Sequence, residues 1–210
     1  KEAGIREIKV IDNGIGMDAD ELEENLGTIA KSGSLAFKEQ MEKKEDNTDA
    51  DVDIIGQFGV GFYSAFMVAK SVTVVSKKDG ADTAYKWVSQ GDDGYYITES
   101  DKEERGTTII LALKEDTDDE DYSQYLETYT LENLVKKYSD YIRYPIKMEV
   151  ETQKVKEETK DQEKPEYETV VEDKTLNSMI PLWKRQKSQI KREEYDQFYK
   201  DHFQDFQDPQ

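Results

Sequence analysis

The sequence predicts an α/β fold built around an antiparallel sheet, and three features of its hydrophobic pattern lead to that prediction. Residues 71–113 contain four short runs in which apolar and polar side chains alternate, which is typical of strands with one buried face. Residues 18–26 and 125–143 space their apolar side chains three and four apart, as an amphipathic helix does. Within 54–70, three glycines precede an almost wholly apolar run, which favours a glycine loop that opens a buried helix.

The expected strands follow from the alternation and from the turn residues between the runs. The first strand covers 5–12 and ends at the turn-forming pair Asn13-Gly14. Short polar, glycine-containing turns join the next four strands into an antiparallel meander, at 71–78, 84–89, 95–99 and 107–113. Two further strands are expected at 146–150 and 167–173.

Capping residues mark the expected helix ends. Asp18 begins the first helix, and Glu21 three residues later completes a capping-box pattern. Gly27 ends this helix. A second amphipathic segment at 35–44 leads into the acidic stretch 45–53, which has little to bury and is expected to be a loop. A last helix, rich in Tyr and Phe, is expected at 192–206.

Composition argues against several classes of function. The 210 residues carry 29 Lys and Arg against 48 Asp and Glu, a formal net charge of −19, which disfavours binding to nucleic acid or to an anionic membrane surface. There is no cysteine, which excludes disulfides, thiolate zinc sites and a Cys nucleophile. The single histidine, His202, argues against a Ser–His–Asp triad or a His-ligated metal. A cytoplasmic location is expected.

Three glycine clusters carry the chemistry, at 12–17, 56–61 and 105–107. Taken alone, the first could be an ordinary strand-to-helix turn. It also satisfies the Rossmann pattern through Gly14, Gly16 and Ala19. Two features oppose that reading: Asp12 ends the strand directly before the glycines, and no second strand ending in an acid follows about twenty residues later.

The second cluster stands directly ahead of the expected buried helix. One interpretation is a helix start without a capping side chain. The other is an anion site, because glycines let a polyphosphate approach the free N–H groups of a helix N-terminus. No Gly-Lys-Ser/Thr follows, so the cluster is not a Walker A loop. In combination with the first cluster, the anion site is favoured.

Together these segments closely resemble the 90-kDa heat-shock chaperones, most of all the bacterial members of that family. The resemblance rests on DNGIGM at 12–17, NLGTIAKSGS at 25–34, GQFGVGFYSAF at 56–66 and RGTTI at 105–109. The first and third motifs alone would indicate only the wider group of gyrase-, histidine-kinase- and MutL-type ATPases. LNSMIPLWKR at 176–185 and EEYDQFYK at 193–200 resemble the start of the family's middle domain.

The resemblance implies a fold and a domain plan. The fold is a two-layer α/β sandwich of the Bergerat or GHKL type, with a mixed, mainly antiparallel sheet covered by helices on one face. The ATP-binding domain is expected at 1–152, with a lid at about 27–57. A short charged linker would cover 153–166, and 167–210 would begin the middle domain.

The resemblance also assigns roles in binding ATP or ADP with Mg²⁺. Asp12 would accept a hydrogen bond from the adenine amino group, and Thr107 would contact the same edge partly through water. Gly16 and Met17 would line the purine, and Asn25 and Leu26 would lie beside the ribose and α-phosphate. The lid hinge would contain Lys31, Ser32 and Gly33, of which the first two could equally be solvated loop residues. The phosphate loop would comprise Gly56, Gly59, Val60, Gly61 and Phe62.

No catalytic or metal-binding residue is assigned within the chain, because the resemblance places the water-activating Glu and the Mg²⁺-holding Asn upstream of residue 1. The longer parent is expected to be an ATP-dependent chaperone. Its partners would be unfolded client proteins and a second copy of itself, without nucleic acid or membrane. The 210 residues alone are expected to hydrolyse little ATP.

Three alternatives remain at this stage. A gyrase B- or MutL-type DNA-acting ATPase shares the glycine motifs, but the acidic charge and GQFGVGFYSAF oppose it. A sensor kinase would need His202 as phosphoacceptor, and that residue lies in the helix expected at 192–206. A purely structural interaction module would leave Asp12 and the glycines replaceable.

Overall fold

A computed structural model describes residues 4–27, 60–155, 159, 166–203 and 207 of the chain. They belong to two compact units, Lys1–Leu126 and Glu127–Gln210. The amphipathic segment expected at 35–44, the acidic loop and most of the expected lid lie outside the described residues. None of the helices that the structure describes has the length and apolar character needed to cross a membrane.

The first unit contains a five-stranded sheet. Its strands are β1 (Glu7–Ile11), β2 (Ala69–Lys77), β3 (Ala84–Ser89), β4 (Tyr95–Ser100) and β5 (Gly106–Leu113). They lie in the order β1-β5-β2-β3-β4, and all four pairings are antiparallel. The strands therefore lie close to the positions expected from the alternation.

The expected meander is wrong at its last strand. After β4 the chain returns across the sheet, and β5 pairs with β2 on one side and β1 on the other. The run Ile109–Leu113 is continuously apolar, which suits a strand with neighbours on both sides. The more polar β4 is left at the edge, where most of its side chains are exposed.

Helix α1 (Ala19–Leu26) covers one face of the sheet. Its N-cap, Asp18, accepts a hydrogen bond from the Glu21 N–H while the Glu21 side chain accepts one from the Asp18 N–H, so the predicted capping box is confirmed. Leu22 and Leu26 pack against the sheet in a core cluster with Val72, Val74 and Trp87. This burial fixes α1 directly after the first glycine cluster.

The buried helix expected within 54–70 is wrong in the part of that range that the structure describes, residues 60–70. The described part of that range contains a 3₁₀ turn (Gly61–Ser64) and a single helical turn, α2 (Ala65–Val68), before β2 begins at Ala69. No residue of either turn is fully buried, and Met67 is 72% exposed. The physical reason is pairing: Ala69 already aligns with Leu113, and the Lys114 N–H bonds to the Val68 carbonyl, which ends the helix.

The described residues of the second unit include two α-helices and a hairpin. Helix α3 (Thr128–Ser139) is followed by β6 (Lys147–Val155), β7 (Tyr167–Thr175) and α4 (Arg192–Phe203). β6 and β7 pair antiparallel from Lys147–Thr175 to Val155–Tyr167. Helix α3 ends four residues before the expected 143, because the main chain and carboxylate of Asp140 accept hydrogen bonds from Met179 and Ser178.

The segment expected to be a linker, 153–166, covers the end of β6 and the connection from β6 to β7. Its residues 153–155 are the last of β6, and across the hairpin Lys154 forms an ion pair with Glu172. The two compact units divide between Leu126 and Glu127. A solvated two-stranded hairpin has little to bury, so its hydropathy resembles that of a linker. The domain boundaries drawn from the sequence stay a prediction.

Candidate functional site

Three neighbouring strands bring Asp12, Thr107 and Ser76 side by side. Asp12 directly follows β1, Thr107 is the second residue of β5, and Ser76 lies opposite it on β2. Asp12 and Thr107 exchange backbone hydrogen bonds of 2.9 and 3.2 Å. The order β1-β5-β2 therefore places a carboxylate and two hydroxyls next to each other at one end of the sheet.

The Asp12 carboxylate is held by backbone donors. Its Oδ1 accepts hydrogen bonds from the N–H of Gly14 at 2.8 Å and of Thr107 at 3.3 Å. The residue is exposed, and Oδ2 has no hydrogen-bond partner in the part of the chain that the structure describes. One carboxylate oxygen thus orients the side chain while the other stays available to accept a further bond.

Ser76 and Thr107 form a buried pair of hydroxyls. Ser76 is 0% and Thr107 7% exposed, and their side-chain oxygens lie 2.9 Å apart. Ser76 Oγ also accepts the N–H of Met17 at 2.8 Å. Ser76 was not predicted from the sequence, although a signal was present: it is the polar member of the inward-facing series Val72, Val74, Ser76.

Two glycines allow this close assembly. Gly16 has φ +65°, and a Cβ there would lie 1.8 Å from the carbonyl oxygen of Lys77. Gly106 has φ +104°, and its Cβ would lie 2.2 Å from the carbonyl oxygen of Asp12. Any side chain at either position would push the strand ends apart. The first and third glycine clusters of the sequence thus serve contacts among β1, β2 and β5.

Lys78, directly after β2, fastens the start of α1 to the sheet. Its Nζ lies 2.6 Å from Oδ2 of Asp18 and 2.8 Å from Oε1 of Glu21. These two hydrogen bonds raise the pKa of Lys78. Desolvation, the largest influence on Asp18, raises the pKa of that carboxyl, but the bonds from Lys78 and the Glu21 N–H together bring it below its usual value. Both acids of the capping box are therefore occupied by this lysine.

The C-terminal end of α1 lies close to the first glycine cluster and to the 3₁₀ turn Gly61–Ser64. Asn25 Nδ2 is 4.0 Å from the sulfur of the half-buried Met17. Leu26 has its side chain in the core, and its carbonyl accepts a 3.0 Å bond from the hydroxyl of Tyr63. Helix α1 thus connects the Asp12 loop to the segment that follows the second glycine cluster.

The second glycine cluster, 56–61, is described only from Val60 onwards. Val60 is 52% exposed, Gly61 is exposed, and the ring of Phe62 packs edge-on against Trp87 at 5.6 Å. The remaining site residues predicted from sequence lie outside the described residues, namely Lys31, Ser32, Gly33, Gly56 and Gly59. Within the described ranges there is no group of three or more His, Cys, Asp or Glu residues that could hold a metal.

The described geometry suits a flat heterocycle with polar edge atoms. The free oxygen of Asp12 can accept a hydrogen bond, the neighbouring Thr107 carries a hydroxyl, and the thioether of Met17 offers an apolar surface. Gly16 directly precedes Met17, and Asn25 lies beside the Met17 sulfur, while the assignment of these residues and of Leu26 to one site stays a prediction.

Comparison with known families divides the chain in two. Residues 1–92 match the family described as histidine kinase-, DNA gyrase B-, and HSP90-like ATPase. Residues 124–170 and 147–210 match the Hsp90 protein family. The first match confirms the predicted α/β sandwich of the GHKL type for the unit that contains the sheet.

Curated relatives extend the match over almost the whole chain. The chain is 55% identical over 92% of its length to the chaperone protein HtpG of Alkaliphilus oremlandii, and 53% identical over 93% to that of Oceanobacillus iheyensis. It is 52% identical over 97% to the HtpG of Bacillus licheniformis. The chain spans 30% of the length of the first two relatives and 31% of the third. Both halves of the chain match these families, and the relatives are 52–55% identical over at least 92% of the chain. The chain therefore belongs to the Hsp90 family.

Proposed function

We propose that this chain binds ATP or ADP and is the nucleotide-binding part of an ATP-dependent molecular chaperone. The observation that carries the proposal is the Asp12 carboxylate, held through Oδ1 by two backbone N–H groups with Oδ2 left available. A carboxylate oriented in this way beside a hydroxyl presents the acceptor that the amino group of adenine requires.

The residues around Asp12 fit an adenine ring. Oδ2 would accept from the amino group, and the hydroxyl of Thr107 would contact the neighbouring ring nitrogen directly or through one water. Gly16 and Met17 would line the ring, with Asn25 and Leu26 next to the sugar. A charge-assisted hydrogen bond of the Asp12 kind contributes about 1.5–3 kcal/mol to binding.

The phosphates would lie towards Val60 and Gly61. In the described part of the chain no atom comes within 4 Å of a Cβ built on Gly61, so internal packing does not require a glycine there. Room for a ligand is the reason we infer for it, with Phe62 holding the turn against Trp87. Lys31, Ser32, Gly33, Gly56 and Gly59 complete the proposed phosphate site and lid by resemblance to the family. Mg²⁺ would accompany the nucleotide and neutralise its phosphate charge.

Hydrolysis belongs to the family, and we propose that the 210 residues by themselves turn over little ATP. The carboxylates of Asp18 and Glu21, next to the site, are bound to Lys78 and so are unavailable to activate water. Turnover that depends on Mg²⁺ in the purified chain, and that survives Asp18→Asn and Glu21→Gln, would show that another base acts within it.

The remaining proposals concern the whole protein. By analogy with relatives named as chaperones, nucleotide turnover would be coupled to the folding of client proteins, in a cytoplasmic homodimer that needs neither nucleic acid nor membrane. A DNA-acting ATPase is not favoured, since the net charge of −19 opposes contact with a phosphate backbone.

Calorimetric titration with ADP, with and without Mg²⁺, tests the nucleotide site. Asp12→Asn keeps an oxygen for Gly14 and Thr107 but places an NH₂ donor opposite the adenine amino group, so binding should fall at least tenfold. Asp92→Asn, in the exposed turn between β3 and β4, is the matched control and should bind as the parent does. Equal ADP affinity in all three proteins would refute the assignment.

A further inference from the structure

We propose that Ser76 is a specificity-determining residue that sets the direction of the Thr107 hydroxyl and thereby favours adenine over guanine. The inference rests on the proposed nucleotide site and deepens it. Ser76 is fully buried, so it would act on the ligand only through its neighbour.

The oxygen of Ser76 has three partners and one proton. It accepts the Met17 N–H at 2.8 Å, lies 2.9 Å from Thr107 Oγ1, and lies 3.4 Å from the carbonyl oxygen of Gly106. Its proton can go either to Thr107 or to Gly106. Because 2.9 Å is near the optimum for an O–H donor and 3.4 Å is well beyond it, donation to Thr107 is the stronger arrangement.

The direction of the Ser76 proton determines whether the Thr107 hydroxyl offers a ligand a proton or only lone pairs. When Ser76 donates to Thr107, the Thr107 proton has no other acceptor among the described side chains and main chain, so it is available to a ligand or a bridging water. When Ser76 donates to Gly106 instead, Thr107 turns its proton to Ser76 and offers only lone pairs. The Met17 N–H occupies one of the two lone pairs of Ser76 in either arrangement, so the distances to Thr107 and Gly106 decide between them.

The resulting pattern distinguishes the two purines. Asp12 as an acceptor beside Thr107 as a donor complements adenine, which carries an amino donor next to a ring acceptor. Guanine carries a carbonyl acceptor next to a ring N–H donor, so both positions would oppose like groups. A site whose polar groups are left unpaired by the wrong ligand rejects it strongly. Without the proton from Ser76, the Thr107 hydroxyl can turn either to donate or to accept, so its half of the pattern no longer distinguishes the two purines.

The test is competition by ADP and GDP for the site in the whole chain, with Ser76→Ala, Thr107→Val and the double variant. We expect Ser76→Ala to reduce the preference for ADP over GDP by about tenfold, the size of one well-placed hydrogen bond. In the Thr107→Val background, Ser76→Ala should change the preference no further, because Ser76 acts through Thr107. Ser89→Ala is the control: this buried serine on β3 bonds to Gly94 and Gly91, away from the site, and its loss should leave the preference unchanged.

Ser76→Cys covers the case in which the alanine variant does not fold. It has nearly the volume of serine but a weak S–H donor, so it should narrow the preference in the same way. An equal loss of ADP and GDP affinity, or a change in preference that persists with Thr107→Val, would show that Ser76 has a packing role only. Failure of the parent chain to bind ADP would overturn the proposed function itself. If the parent binds ADP and Ser76→Ala keeps the parent's preference for ADP over GDP, this inference alone is overturned.

Discussion

Lys78 holds the capping box of helix α1 from outside the helix, with its Nζ 2.6 Å from Oδ2 of Asp18 and 2.8 Å from Oε1 of Glu21. The two acids that satisfy the helix N-terminus thus also bind α1 to the end of β2. Gly16 and Met17 directly precede Asp18 in the chain, so the lysine limits how far the proposed adenine loop moves.

Lys78→Met should lower the free energy of unfolding by about 0.5–1.5 kcal/mol, because it removes two ion pairs that are partly screened by solvent. The three side chains are each 35–40% exposed, which keeps the effect modest. Chemical denaturation measures it. Lys70→Met is the control: its pair with Glu115 is longer, 3.4 Å, and more exposed, so no measurable change is expected. Equal destabilisation by both variants would contradict this role for Lys78.

The contribution of this cluster should depend on pH. Because the pKa of Asp18 is lower in the folded protein, the stability it provides is fully present above about pH 4, its unfolded pKa, and is lost as the pH falls through the folded value. The difference in unfolding free energy between the parent and Lys78→Met should therefore be constant from pH 5 to 8 and shrink below pH 4. Denaturation curves across this range test it, and a difference that widens in acid would be the opposite of the expected sign.

Gly16→Ala should be among the most damaging single changes in the first unit. Positive φ alone costs about 1–2 kcal/mol for alanine, and here the added Cβ would also overlap the Lys77 carbonyl. We expect a loss of about 3 kcal/mol or more. Gly80→Ala separates the two effects, because Gly80 has φ +77° but open space among its described neighbours. Similar thermal midpoints for the two variants would show that the contact with Lys77 is unimportant.

In the second unit, Asn177 should be among the residues whose substitution lowers the free energy of unfolding most. Its buried amide donates to the carbonyls of Ile142 and Tyr144 and accepts the N–H of Ile146, at 2.8–2.9 Å. Asn177→Ala leaves these three backbone groups without a partner and should cost about 2–4 kcal/mol. Asn133→Ala, at an exposed position of α3, should change stability by less than about 0.5 kcal/mol. Proteolysis or hydrogen exchange of residues 140–146 would localise the effect.

The elements that were predicted well depend on neighbours in the sequence. The capping box at Asp18 is a local exchange of hydrogen bonds, and the strand at 84–89 was found because its turns are marked by polar residues. Asp12, Gly16, Met17 and Thr107 were assigned to one site by motif; Asp12 and Thr107 exchange hydrogen bonds, and the shared nucleotide site stays a prediction.

The elements that were missed depend on partners far along the chain. Ser76 is 59 residues from Met17 and 31 from Thr107, so its role follows only from the alignment of β2 with β5. The helix expected before β2 is shorter because Ala69 pairs with Leu113. Residues 153–155, expected to be linker, are strand residues because they pair with β7. The inward-facing series of β2 marks Ser76 as an exception, but nothing in that segment identifies its partners, and the other two contacts leave no periodic pattern in their own segments.

By itself, the sequence determined the helix and strand types, the acidic surface and the membership of Asp12, Gly16 and Thr107 in one motif set, because periodicity, charge and glycine spacing are properties of the chain. Only the tertiary structure decided that β5 lies between β1 and β2, that Lys78 anchors α1 and that Ser76 supports Thr107. Strand order and long-range hydrogen bonds result from competition among all segments for burial and for backbone partners, and no single segment carries that information.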